Sequence, residues 1–548
     1  MRRTILYFII ASVFACNRVN EQKINTEGKK VFRYNESAGI SFLDPAYATR
    51  FEDCWAMSQL YNGLVQFDEQ LNVVPCIAKH WEINNDQTEY TFYLRNDVYF
   101  HDHKIFESGK GRKVTAQDFV NSFFRITDPE IASPGSYIFQ NVDYSPRSKN
   151  KGFVAINDTI LKIYLKQPQH QFLEQLSLPF CYVIPIEIAD YYGSDFSSNP
   201  VGTGPFKFKT WKKDVKLIMV KNENYFEKDN TGNSLPYIDA ISISFIRDKH
   251  MEYKEFLKGK FEFMSGLDDS YRDMLLNNDG TLKSNYKEQI RLLRTPWLKT
   301  DYLGILIDEE KEIVQNSPLK NKLIRRAINY SINRRELVNL LRNGIGEPAE
   351  YGFIPVGMPG FKYTRVEGFS YNIEKAKTLI FETGLKKEDL PEITLVTTTE
   401  YKNLCEYLKQ NIDEIGLKCK IEVVVPSVQK QMVSSYAANF FRKSWTADYP
   451  DAINFLQLFY SKNFSPNGPN YTHYKNPLYD AYFEEALKEK EEDKRYLLYH
   501  KMEELLLEDA PVVPLFYDEA IKFVQHYVDG LEINAMNQLN LKKVRIVK

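Results

Sequence analysis

His101 and His103 stand two apart, so on a strand both would face one side, as a two-histidine metal site requires. Such a site needs further ligands, and the other six histidines are scattered along the chain. Carboxylates also occur in pairs, Asp268-Asp269 and Glu484-Glu485. Neither pair has an acid–base partner near it in sequence, so both read as surface charge. Gly202-Thr203-Gly204 is followed by Pro205 and opens no helix, which rules out a phosphate-cradling turn. The chain has no GxSxG elbow, no GxxxxGK[ST] loop and no HExxH pair. The expectation is a protein that is not an enzyme, with no cofactor and no metal.

The cysteines point elsewhere. Arg2 and Arg3 precede an apolar run from Ile5 to Phe14 that ends at Ala15-Cys16. A basic start, about ten apolar residues and a small residue before the cut make a secretory signal. The run is too short to cross a bilayer, which takes about 20 residues. A cysteine directly after the small residue, in Val13-Phe14-Ala15-Cys16, looks like a bacterial lipoprotein signal. Residues 1–15 are therefore expected to be removed, Cys16 to carry lipid, and the polar stretch 16–30 to tether the protein to a membrane. Cys54, Cys76, Cys181, Cys405 and Cys419 remain, with no CxxC spacing. Cys405 and Cys419 could pair in an oxidising compartment or be buried as small hydrophobes.

These residues must be positioned by more than one core, because 548 residues imply two or three domains. The net charge of −2 falls to −4 without Arg2 and Arg3, and a mildly acidic body is not a nucleic-acid footprint. Tyr90, Phe92 and Leu94 alternate with polar or aromatic neighbours, which predicts a half-buried strand, as do Leu161, Ile163, Leu165 and Ile241, Ile243, Phe245. Ile393–Val396 and Ile421–Val425 read as strands buried on both faces. Between them, Leu404, Tyr407, Leu408, Ile412 and Ile415 have helical spacing, and Gly416 follows as a C′ glycine. Leu323, Ile324, Ala327 and Ile328 share a helix face, and Asn333 with Glu336 predicts a capped second helix through Leu341. Leu497, Leu498, Met502, Leu505 and Leu506 form an amphipathic stripe closed by Pro511, preceded by the solvated charge run Lys488–Lys494. The interleaving predicts an α/β fold with no internal repeat.

A series of segments, in order, is similar to the extracytoplasmic solute-binding proteins of peptide and nickel ABC importers (family 5, the oligopeptide- and dipeptide-binding type). They run from Phe42-Leu-Asp-Pro45 and Leu60-Tyr-Asn-Gly-Leu64 through Tyr90-Thr-Phe-Tyr-Leu-Arg95, Phe100-His-Asp102, Val114-Thr-Ala-Gln-Asp-Phe-Val120 and Asp128-Pro129. Val201-Gly-Thr-Gly-Pro-Phe206, Lys221-Asn-Glu-Asn-Tyr225, Arg326-Ala-Ile-Asn-Tyr-Ser-Ile-Asn-Arg334, Trp445-Thr-Ala-Asp-Tyr-Pro-Asp451 and Ala510-Pro-Val-Val-Pro-Leu-Phe516 follow.

The resemblance implies a two-lobed, flytrap-like periplasmic-binding-protein fold with an additional third domain. Lobe I would comprise 31–62, 196–298 and 516–548, the extra domain 63–195, and lobe II 299–515. It further implies a monomeric, extracytoplasmic protein that captures a short peptide and hands it to an ABC permease. On the same scaffold a nickel chelate, haem or oligosaccharide is the alternative solute. In the peptide-binding relatives the ligand lies as an added strand between the lobes. The matching edges here are Thr49, Arg50 and Phe51, and Ser444, Trp445 and Thr446. The relatives' ammonium-binding carboxylate falls on Asp448, and Arg442 matches a position that can face the ligand carboxylate. Asp451 is read as a helix cap. Gly135 stands where an oligopeptide binder commonly has a tyrosine, with Tyr137 nearby, and Val433 stands where a second carboxylate-reading arginine can occur.

Overall fold

The computed structural model describes residues 28–144, 152–386 and 390–547. The leader, Cys16 and most of the tether lie outside the described residues.

The alternating segments form strands. Glu89–Leu94 sits inside a four-stranded antiparallel sheet in the order Ala78–Ile83, Glu89–Leu94, Ile160–Tyr164, Phe153–Asn157. Tyr90, Phe92, Leu94, Leu161 and Ile163 are buried in the same apolar core as Phe119, Phe123 and Ile126 of the helix Ala116–Thr127, which repeat at helical spacing. Thr115 and Asp118 close that helix start with a reciprocal capping box. This is the extra sheet domain.

The first lobe is built on a second sheet, in which Val31–Asn35 runs parallel to Ala240–Ser244 and Lys216–Lys221 and Phe206–Lys212 follow antiparallel. One apolar core runs continuously through this lobe and the extra domain.

The second lobe holds most of a mixed seven-stranded sheet, in which Ile393–Thr397 lies between Phe440–Thr446 and Cys419–Val423, with Leu395, Phe440, Val513 and Leu515 fully buried. Its helices follow the sequence reading. Lys402–Glu414 is followed by Gly416 at φ 92°, a conformation glycine takes without strain. Asn333 caps Arg334–Arg342 by accepting from the Glu336 amide at 3.2 Å, although the Glu336 carboxylate accepts from the Asn333 side chain, not from its backbone. Glu492–Asp509 buries Leu498, Met502 and Leu506, while Leu497 faces solvent. Cys405 and Cys419 are free thiols packed in the apolar core of this lobe.

Two expectations are corrected. Cys419–Val423 is an edge strand of the lobe II sheet, and Val423 and Val425 are 40% and 59% exposed, so this run is not buried on both faces. His101 and His103 lie outside any strand and turn to different partners. The His101 ring bonds the Gly204 carbonyl at 3.0 Å and the His103 ring meets the Tyr192 hydroxyl at 3.1 Å. Burial pushes the His101 imidazole down to about 4, so it is neutral at pH 7.

The lobes are joined by two long strands, Ile290–Ile305 and Val512–Gln525, paired antiparallel. Their register slips between Pro296 and Thr300 and again between Asp301 and Tyr302. On one side of this break Val512–Gln525 pairs with Phe263–Ser265, and on the other Ile290–Ile305 pairs with Phe440–Thr446. A bulge bends and twists a strand without ending it, so hinge and sheet are one element here.

Candidate functional site: a cleft between the lobes

The strand Phe440–Thr446 is paired along its length with Ile290–Ile305, Thr446 lying opposite Lys299 and Ser444 opposite Asp301. Its other edge meets Ile393–Thr397 only at Phe440 and Phe441. Past that point the Arg442 carbonyl accepts from the Gln429 side chain at 2.9 Å, and among the described residues no strand covers 443–446. An uncovered strand edge is a row of backbone donors and acceptors able to pair with another extended chain.

The strand ends where the Ala447 amide bonds the Leu298 carbonyl at 2.8 Å, and the turn that follows presents Asp448. One residue holds it. Asn454, fully buried in the short helix Ile453–Leu456, accepts from the Trp445 indole at 2.9 Å and from the Asp448 amide at 3.2 Å, and donates to Asp448 Oδ2 at 3.2 Å. Asp448 is surrounded by protein mass, yet its surface remains open because it faces a cavity. Burial pushes its carboxyl above the ordinary value, opposed by the Asn454 hydrogen bond. Among the described residues no lysine, arginine or histidine pairs with it.

The cavity measures about 430 Å³ and is walled by all three parts of the fold. Lobe II gives Thr446, Ala447 and Asp448, and the extra domain gives Tyr137, Phe180 and Tyr182. Lobe I gives Thr49, Phe51 and the helix Phe51–Leu60, with a floor at 536–542. That helix fixes the floor through Trp55, whose indole donates to the Asn537 carbonyl at 2.8 Å, and through Gln59, which donates to the Leu539 carbonyl at 2.7 Å. Gly202 and Gly204 clamp its far end. A Cβ on either would lie 2.1 or 2.4 Å from the backbone of Leu60, so glycine here permits close approach.

The expected residues divide. Thr49, Phe51, Thr446 and Asp448 line the cavity, and Trp445 stands behind Asp448 as its orienting partner. Ser444 is half-buried on the strand. Arg50 and Arg442 are not among the residues that line this cavity, and their guanidinium groups have partners of their own. The Arg50 guanidinium bonds Ser41 and the carbonyls of Ala38 and Gly39. Arg442 is buried against Asp301 with its guanidinium 3.1 Å from the centre of the Tyr401 ring, and burial lowers it to about 9.

Arg442 adjoins a second opening of about 600 Å³, lined by Trp297, Lys299, Asp301, Arg342, Tyr401 and Asp518. There Lys299 pairs with Asp518 at 2.7 Å and Asp301 at 3.3 Å, and Arg342 also pairs with Asp518. Phe51 and Trp297, edge to face at 5.6 Å, stand between the two spaces. Val433 is buried in the core beside Phe441. Tyr137 lines the cavity close enough to Asp448 for the carboxylate to help raise its phenol, burial being the larger cause. Gly135 cannot carry a larger residue, since the Phe180 ring lies 2.5 Å from where a Cβ would be. Asn454, Trp55 and the 536–542 floor were not legible as site residues. No local motif marked them, because their contacts are made across turns and between distant segments.

A two-lobed binding-protein fold with an extra sheet domain and an interlobe cavity defines a solute receptor. The chain matches the model of the bacterial extracellular solute-binding proteins, family 5, over residues 72–467, and it belongs to that family. It is 25% identical to the dipeptide-binding protein DppE of Bacillus subtilis, covering 95% of this chain and 93% of that one. It is 26% identical to heme-binding protein A of Haemophilus influenzae, covering 92% and 91%. The peptide-bound periplasmic binding protein DppA of Helicobacter pylori superposes with a TM-score of 0.75 at 26% identity, covering 95% and 99%. Members are non-catalytic receptors that work outside the cytoplasm with the permease of an ABC transporter.

Proposed function

We propose that this receptor captures short peptides with a free amino terminus and delivers them to its permease. The observation that carries the reading is Asp448: an orienting residue holds its carboxylate in a cavity, without a cationic partner among the described residues, at the end of an uncovered strand edge. The carboxylate suits an ammonium, and the edge at 443–446 suits the backbone of an extended ligand. Thr49 and Phe51 face that ligand from lobe I, and the Lys299 and Arg442 region lies toward its carboxyl end. In this reading the division of lobes falls at 298/299 and 515/516, a placement supported by the bulge between Pro296 and Thr300. The protein acts as a monomer held to the membrane through lipid on Cys16.

The test is calorimetry on wild type and Asp448→Asn, each with a free and an N-acetylated peptide. Removing either charge costs on the order of 2–5 kcal/mol, roughly 30-fold to several thousand-fold in affinity. The two losses should not add fully, because they delete one interaction. If each leaves affinity within about threefold, Asp448 is not the amine anchor and a non-peptide solute such as haem takes precedence. The anchor is tested separately: Cys16→Ser should leave the membrane fraction, and unchanged fractionation would count against lipidation.

A further inference from the structure

The cavity does not stop at Asp448. Cys54 and Tyr137 are near that carboxylate, and beyond them the space runs between lobe I and the extra domain. Tyr182 flanks this part, its ring stacked on Tyr61 with centroids 6.4 Å apart and planes at 18°. At the far end lie Asn62, Cys76, Tyr225 and Lys542.

The polar groups there are already partnered. Asn62 donates to the Tyr225 hydroxyl at 3.3 Å and accepts from the Thr203 hydroxyl at 3.1 Å. The Lys542 ammonium is paired with Glu227 at 2.5 Å and also donates to Gln66 at 3.1 Å. Among the described residues the chamber beyond Asp448 therefore offers aromatic walls, two thiols and bonded polar groups, with no charge left uncompensated.

Stereochemistry decides what enters. The α-carbon of a peptide's first residue carries an ammonium, a carbonyl and a side chain. With the ammonium on Asp448 and the carbonyl continuing along the edge at 443–446, the side chain stands roughly perpendicular to that pairing, and the cavity that Asp448 lines is the open space beside it. Resting on the peptide reading above, we propose that this chamber receives the first side chain of the ligand and selects a large uncharged one, aromatic or long aliphatic. Glycine would leave the chamber unfilled, and a lysine or glutamate would bring in a charge with no counter-ion.

The probe is a set of tripeptides X-Ala-Ala with X as Gly, Leu, Phe, Lys or Glu, titrated calorimetrically into the full-length protein. Phe and Leu should bind about 10- to 100-fold tighter than Gly, the gain from burying one large apolar side chain. Lys and Glu should bind no tighter than Gly. In Cys54→Met, which narrows the chamber, the ratio of Phe to Gly affinity should fall several-fold. Thermal melting of that variant shows that it is folded, and the wild-type series stands without it. Equal affinity for Gly and Phe, or a preference for Lys or Glu, overturns the chamber proposal. If the tripeptides bind and acetylation abolishes binding but no ranking emerges, only this proposal fails. If none binds, or acetylation is harmless, the peptide reading fails and the chamber proposal with it.

Discussion

Asp448 and Asp451 are three residues apart, on the same turn, and their surroundings push them in opposite directions. Among the described residues the Asp448 carboxylate holds a single side-chain bond, from Asn454, and burial raises its pKa. Asp451 is also buried, which opposes ionisation, but its bond and attraction to His170 outweigh this and bring it down to about 2. His170 lies at 3.2 Å, the Tyr499 hydroxyl donates at 2.8 Å, and the Ile453 amide donates at 2.8 Å as a helix cap. His170 belongs to the extra domain, whereas Asp451 and Tyr499 belong to lobe II, so the second carboxylate ties two parts of the molecule together. One carboxylate is spent on architecture. The other is left incomplete, which is what the proposed ammonium site requires.

The largest effect should follow from breaking the first. Asp448→Asn is expected to lose at least 30-fold in peptide affinity while the empty protein melts no lower than wild type. A raised carboxyl pKa means that ionisation at neutral pH opposes folding, so the neutral asparagine removes a cost. A melting temperature well below wild type would make Asp448 a structural residue instead.

Asp451→Ala should do the reverse. It removes a cap and two side-chain bonds, and is expected to lower stability by about 2–4 kcal/mol in denaturant unfolding. Part of that loss should return in a peptide-saturated sample, because ligand also holds the lobes. Stability unchanged within 0.5 kcal/mol, roughly the noise of a surface substitution, would mean the domain tie carries no load.

Asn454→Leu sharpens the comparison by leaving both carboxylates in place. It releases Asp448 and Trp445 from their shared anchor, and about tenfold weaker peptide binding is expected, the worth of one or two hydrogen bonds. A control peptide lacking its free amine should be much less affected, which separates positioning from general damage.

The smallest effect is in the pH profile. Binding an ammonium requires ionised Asp448, so affinity should hold above its raised pKa and fall as acidification passes through it, earlier than for an ordinary carboxylate. Asp451 has a depressed pKa. Its stabilisation is fully present above the unfolded value of about 3.9 and is lost only as pH falls through about 2. Acid titration should therefore release peptide before it loosens the tie between the extra domain and lobe II. Simultaneous loss of both would contradict the contrast.

The sequence made the first carboxylate legible and most of its setting illegible, for physical reasons. Asp448 was singled out only by the family resemblance that the local run Trp445 to Asp448 carries, whereas strands and helices elsewhere follow from local periodicity, as at Tyr90, Phe92 and Leu94 or at Leu404, Leu408 and Ile412. Asp451 was read correctly as a cap, since capping is also local, but nothing in the chain announced His170 as its partner. The exposure of Val423 and Val425 was missed because an apolar β-branched run looks the same at the edge of a sheet and at its centre. Arg50 was expected on the strand edge beside the ligand, and Arg442 at a position that can face the ligand carboxylate. An arginine's sequence position does not reveal which acceptor its long side chain finds, and here these are the 38–41 loop and Asp301. The continuity of Ile290–Ile305 through both lobes was likewise invisible, because a bulge has no fixed residue signature.

The floor of the cavity has a consequence for how the receptor is made. The Trp55 indole meets the Asn537 carbonyl across 482 residues of chain, and Gln59 meets Leu539 across 480. A contact of that span pays loop-closure entropy late and slows folding. During synthesis, the helix that carries Trp55 emerges long before the segment it must hold, and until then the pocket has walls but no base. A half-made chain thus cannot be locked shut by ligand. In a receptor that works outside the cytoplasm, the order of the chain delays completion of the cavity until residues 536–542 have been made.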